Sequence, residues 1–137
     1  MLARREHSAF ELRRKLKQKD IDDAEIEEAV EHLQREGLLS DTRFAEAYIH
    51  MRRGKGYGPL RIALELKERG VDECVYIDHL HAEEHDWVSV LKAAYQKKYG
   101  NTRYHDYRDK AKRIRYLQYR GFALEMINEI VEYYIKQ

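Results

Sequence analysis

Three triplets, Lys19-Asp20-Ile21, Arg69-Gly70-Val71 and Arg120-Gly121-Phe122, recur at spacings of fifty and fifty-one residues. Each closes a basic amphipathic segment and opens an acidic one. A shift of fifty carries Phe10, Leu12, Leu16, Ile21, Ile26 and Val30 onto Leu60, Ile62, Leu66, Val71, Tyr76 and Leu80. A further shift of fifty-one carries Leu66, Val71, Tyr76 and Leu80 onto Leu117, Phe122, Ile127 and Val131. Self-similarity at this period is the signature of one supersecondary unit stacked into an array. Such arrays make extended binding surfaces and usually carry no active site of their own.

Around the triplets the punctuation reads as helix, tight turn, helix. Ser8-x-x-Glu11 is a capping box opening a helix to about Lys19. Asp22-x-x-Glu25 resembles a second cap, and Gly37 a left-handed C-cap. Ser40 or Asp41 opens a helix with Phe44, Ala45, Ala47, Tyr48 and Met51 on its apolar face. Gly54-Lys55-Gly56-Tyr57-Gly58-Pro59 breaks it, with Pro59 suited to the first position of a helix that ends at Gly70. Asp72 caps another. Asp86 opens a helix carrying Trp87, Val90, Leu91, Ala94 and Tyr95, closed by Gly100. The next runs from near Tyr104 to Arg120, and the last begins near Ala123. No segment alternates at period two for long enough to be a strand.

The expected fold is all-α: three tandem three-helix repeats forming an elongated, curved array. The expected bounds are 1–39, 40–85 and 86–137. Each unit holds a lead helix, a basic helix and an acidic helix. Residues 1–7 are too few for the first lead helix. Leu2-Ala3-Arg4-Arg5 reads as its tail, so the first repeat is expected to be incomplete and the native chain to begin upstream.

The net charge of +1 hides a pattern. Residues 9–19 hold five basic side chains and one acidic, and residues 22–36 hold seven acidic and only Arg35 basic. Residues 72–86 hold six acidic and no Lys or Arg, and residues 107–120 hold six basic and only Asp109 acidic. Either each sign solvates its own helix, or stacking gathers a basic stripe and an acidic stripe. The charged fraction of 37% beside 43% hydrophobic suits a folded, highly solvated helical protein. Cys74 is the one cysteine, which excludes an intrachain disulfide and fits a reducing, cytoplasmic setting. No apolar run approaches the roughly eighteen residues of a membrane span.

Catalytic and metal chemistry find little support. His81 and His85 lie four apart, but the glutamate that a zinc-protease helix needs directly after its first histidine is missing. No third ligand is evident, so neither metal nor cofactor is expected. Gly54, Gly56 and Gly58 lack the lysine spacing and preceding strand of a phosphate loop. Cys74 reads as a buried small hydrophobe. Nothing assembles nucleophile, base and oxyanion donor, so an enzyme is not expected. Eight of eleven tyrosines fall between Tyr95 and Tyr134. Tyr95, Tyr99, Tyr116 and Tyr134 suit a core, while Tyr107 and Tyr119, flanked by charge, suit a surface that stacks bases.

Four blocks carry a resemblance. They are Leu2-Ala3-Arg4-Arg5-Glu6-His7-Ser8 with Glu11-Leu12 and Lys15-Leu16; Glu36-Gly37-Leu38-Leu39-Ser40-Asp41-x-Arg43-Phe44-Ala45; Gly56-Tyr57-Gly58-Pro59-x-x-Ile62-x-x-x-Leu66-x-x-x-Gly70-Val71; and Tyr116-Leu117-x-x-Arg120-Gly121-Phe122. In order and spacing they resemble the RecX family, the regulators of RecA recombinase. The chain departs at Asp20, where the family often has glycine. The resemblance implies three tandem three-helix repeats. It also implies binding along the groove of the RecA–DNA filament, with repression of recombinase, ATPase and coprotease activities. The setting it implies is homologous recombination, DNA repair and the SOS response.

An elongated array with a basic stripe suits an extended helical filament. Arg13, Arg14, Lys17, Arg61, Lys67, Lys110, Lys112, Arg115 and Arg120, on the basic helix of each unit, are the expected contacts to filament or DNA. A monomer with weak non-specific DNA affinity is expected. The competing reading is a stand-alone helix-turn-helix-like nucleic-acid-binding module.

Overall fold

The structure, a computed structural model, describes residues 5–135, with side chains described as far as Glu132. The expected lead-helix tail, apart from Arg5, and the core role of Tyr134 lie outside these limits. Among the described residues the chain forms helices and no strand. They are α1 Ala9–Gln18, α2 Asp23–Arg35, α3 Asp41–Gly54, α4 Pro59–Glu68, α5 Glu73–Leu80, α6 Trp87–Tyr99, α7 Tyr107–Tyr119 and α8 Leu124–Ile135, with a 3-10 turn at Glu83–His85.

Three small cores follow the repeat. α1 and α2 enclose Ala9, Ile26, Val30 and Leu39. α3, α4 and α5 enclose Phe44, Tyr48, Ile49, Ile62, Leu66, Tyr76 and Leu80. α6, α7 and α8 enclose Leu91, Tyr95, Leu117, Phe122, Ile127 and Val131. Trp87 packs against both the second and the third core. On the acidic helices the equivalent pairs Ile26 and Val30, Tyr76 and Leu80, and Ile127 and Val131 are all buried. On the basic helices Ile62, Leu66 and Leu117 are buried, but Leu12 and Leu16 are only half-buried. Among the described residues two helices wall the first core, whereas α3 and α6 supply a third wall in the other units.

The caps explain the boundaries. Ser8 accepts from the Glu11 backbone N–H while the Glu11 carboxylate accepts from the Ser8 N–H, a reciprocal box. Ser40 and Asp86 likewise cap α3 and α6 with their side chains. Asp22 and Asp72 stand at N-cap positions without making that bond. α7 starts at Tyr107 rather than near Tyr104, because Asp106 accepts from the Asp109 N–H and Asp109 reaches back to the His105 N–H. The buried stripe of α3 is Phe44, Ala45, Tyr48 and Ile49; Ala47 and Met51, expected there, are exposed.

The recurring triplets are left-handed turns. Asp20, Gly70 and Gly121 have φ of 63°, 75° and 104°. The second and third of them also form the joints between units. Ser8 Oγ donates to the Arg69 carbonyl at 2.8 Å, and fifty residues on the Gly58 N–H donates to the Arg120 carbonyl at 2.8 Å. Phe10 lies against Gly70, and Arg61 against Gly121, where any side chain would collide with it. A Cβ at Gly58 would come within 2.5 Å of the Gly121 carbonyl oxygen. The first joint is reinforced from α3: Asp41 accepts from the Ala9 N–H at 2.8 Å, and Arg43 pairs with Glu6 at 2.9 Å. One docking geometry, used twice, therefore sets the units in line.

Candidate functional site

The second joint gathers several cations around one aromatic ring. Tyr57, in the loop between α3 and α4, is ringed by three guanidinium groups. Arg52, Arg61 and Arg120 lie 3.7, 4.8 and 3.9 Å from its ring centre. Glu65 ties two of them down: it accepts from Arg52 and Arg61 at 2.8 and 3.0 Å and from the Tyr48 hydroxyl at 2.8 Å. Burial alone would raise the Glu65 pKa, but the hydrogen bonds from Arg52, Tyr48 and Arg61 outweigh it and hold the carboxyl below its ordinary value. Burial, then the hydrogen bond to Glu65, pushes Tyr48 up to about 12. Arg120 donates to the carbonyls of Lys55 and Gly56. Arg61 donates to the Tyr119 carbonyl at 3.1 Å.

Beside this joint runs a cleft of about 370 Å³ between the end of α3, the 54–58 loop, α6 and α7. Arg53, Lys55, Lys97 and Arg120 line it with Tyr116, and no carboxylate does. Such a concavity favours an anion, because several cations share one low-dielectric wall. Of these, only Arg120 is expected from the sequence. Arg53, Lys55 and Lys97 belong to the lead helices and the loop, outside the basic-helix pattern. The run Arg52-Arg53-Gly54-Lys55 is the signal that marks two of them.

The nine expected cations occupy several settings. Arg13, Arg14 and Lys17 line a shallow groove with Phe10 and Ile26. There Arg13 pairs with Glu27 at 2.9 Å and Lys17 with Asp23 at 2.7 Å. Basic α1 and acidic α2 thus partly neutralise each other, where charge patterning alone suggested separate stripes. Long side chains on adjacent helices reach across. Arg61 and Arg120 belong to the second joint. Lys110 is half-buried, 3.9 Å from Glu132. Arg14, Lys67, Lys112 and Arg115 are exposed. Arg14, Leu64 and Arg115 are repeat-equivalent, as are Lys17, Lys67 and Gln118.

Sequence patterning did not anticipate Arg113, which is 3% exposed in the third core. It donates to the Tyr95 hydroxyl at 2.8 Å and to the Thr102 carbonyl at 2.6 Å, pairs with Asp109 at 3.4 Å and lies over Tyr99. Tyr95 is buried, Tyr99 and Tyr116 are half-buried, and Tyr107 and Tyr119 are exposed. Cys74, read as buried, is exposed because it lies outside the inward stripe of α5. α5 ends at Leu80, so His81 and His85 do not share a helix face. No helix among the described residues is long and apolar enough to cross a membrane.

Known proteins share this organisation. Three family profiles match in order: RecX, first three-helix domain, over residues 1–33; RecX, second three-helix domain, over 40–75; and RecX, third three-helix domain, over 84–131. Regulatory protein RecX of Pseudomonas entomophila (strain L48) is 44% identical over 131 residues, spanning 96% of this chain and 84% of the relative. Its namesake from Legionella pneumophila is 41% identical over 130 residues, spanning 95% and 87%. The crystal structure of RecX from Lactobacillus salivarius shares the fold, with a TM-score of 0.80 at 22% identity over 99% of this chain and 90% of that one. A second crystal structure of regulatory protein RecX also gives a TM-score of 0.80, and there the chain spans just under two thirds, 66%, of that chain. With all three domains in order and relatives above 40% identity over nearly its whole length, the chain belongs to the RecX family of regulatory proteins.

Proposed function

We propose that this protein binds the RecA–DNA nucleoprotein filament as a cytoplasmic monomer and represses RecA recombinase, ATPase and coprotease activities. Its setting is homologous recombination and the SOS response. The repeated joint carries the reading: it holds three units in line, so that one chain presents cations at successive positions along a periodic partner. Weak contacts summed along a filament gain from effective concentration. Exposed Arg14, Lys67, Lys112 and Arg115, with the cleft at the second joint, supply the attraction to phosphate or acidic protein surface. This is recognition rather than catalysis.

The basic cleft also favours a second reading, direct nucleic-acid binding by a helix-turn-helix-like module. Fluorescence anisotropy separates the two. Affinity for a RecA–single-stranded-DNA filament is expected to exceed affinity for the same DNA bare by at least about tenfold, or about 1.4 kcal/mol. Equal affinities would favour the DNA module.

A further inference from the structure

The connection between the second and third units contains a cluster that the filament reading does not use. His79 sits in the last turn of α5, and Glu84 and His85 on the 3-10 turn. One ligand-type atom from each lies within 4.8 Å of the others. The two imidazoles meet edge to face with centroids 5.0 Å apart. His85 is 7% exposed, and its Nε2 is buried without a hydrogen-bond partner. Buried ring nitrogens are normally paired, so this one requires an explanation. In a neutral ring protonated on Nδ1, the Nε2 lone pair is open to a cation.

We propose that His79, Glu84 and His85 bind one borderline divalent transition ion of the zinc class, with water completing the shell. Two imidazoles and a carboxylate form a donor set that such ions accept with a position left open. Bonds of about 2.0–2.2 Å draw ligand atoms to within about 4 Å of each other. Rotation of exposed Glu84 and half-buried His79 supplies that closure. A neutral imidazole is the form that coordinates. Arg53, which donates to the His85 carbonyl at 2.7 Å, opposes a cation; the Glu84 carboxylate offsets it. Once bound, the ion fastens the end of α5 to the turn that leads into α6, beside the ring of Trp87.

Trp87, the one tryptophan in the chain, reports on the site, because its ring lies 5.4 Å from that of His85. The test is titration of the untagged full-length protein with Cu²⁺, followed by Trp87 fluorescence, with Zn²⁺ as competitor. Saturable quenching at one ion per chain, reversed by Zn²⁺, is expected. His79→Gln and Glu84→Gln each weaken it by about tenfold or more, the scale of a lost ligand or orienting group. His81→Gln leaves it unchanged. Zn²⁺ also raises the melting temperature of the parent protein but not that of His79→Gln. Because His85 is buried and its replacement risks the fold, the other two ligands decide the outcome, with helical content checked by circular dichroism. Non-saturable quenching, or equal quenching in folded His79→Gln, overturns the site.

Discussion

Arg113 stands where Ile62 stands in the preceding unit, and both are buried. A single charge in the third core draws tyrosines around it: Tyr95 accepts its hydrogen bond and Tyr99 lies under its guanidinium. It also fixes the α6–α7 connection through the Thr102 and Arg103 carbonyls. Truncation would leave several of these groups unpaired. Arg113→Ala is therefore expected to cost about 3–5 kcal/mol in urea unfolding, the scale of a broken buried pair. The triplet turns give the opposite case. Asp20 holds a left-handed conformation that glycine holds in the other two units. Asp20→Gly is expected to stabilise by about 0.5–1 kcal/mol, while Gly121→Ala, which collides with Arg61, costs about 2 kcal/mol or more. Thermal melts of the two variants check both signs.

Helices were legible where local chemistry decides them. The Ser8 and Ser40 caps, Pro59 at the head of α4 and the turns at Gly70 and Gly121 all lie in the sequence as short-range signals. The inward face of α3 was legible in part: Phe44, Ala45 and Tyr48 are buried as read, but packing against α4 and α5 chose Ile49 over Met51, and that choice depends on the neighbours. The first unit, with two helices among the described residues, has a measurable consequence. Leu66→Ala is expected to cost about 2–5 kcal/mol, whereas Leu16→Ala, at the equivalent but half-buried position, costs about 1 kcal/mol. Equal losses for the pair in chemical denaturation would rule out the thinner core of the first unit.

Across the whole molecule, the repeat period foretold three units, and the geometry of the joint shows how they connect. Residues that carried the family resemblance cluster there: Gly58 against Gly121 and Arg120 against Gly56 at the second joint, Ser8 and Asp41 at the first. The charged surface was less legible. The alternation of basic and acidic helices is plain in the sequence, but partner choice is three-dimensional. Arg13 and Lys17 turn to carboxylates of α2, Arg113 turns inward, and Lys97 joins a cleft from another helix. Contacts of this kind are screened over about 8 Å at physiological salt. Inhibition of RecA is expected to fall several-fold between about 50 and about 200 mM salt, under conditions where the filament itself persists. The most direct test is a titration of RecA ATP hydrolysis on single-stranded DNA with the parent protein and with the Lys67→Glu, Lys112→Glu, Arg115→Glu triple variant. These exposed positions take no part in the joints described, so the helical content of the variant should be unchanged. Inhibition is expected to weaken by about tenfold or more; a folded triple variant that inhibits as strongly as the parent would refute recognition of the filament through these cations.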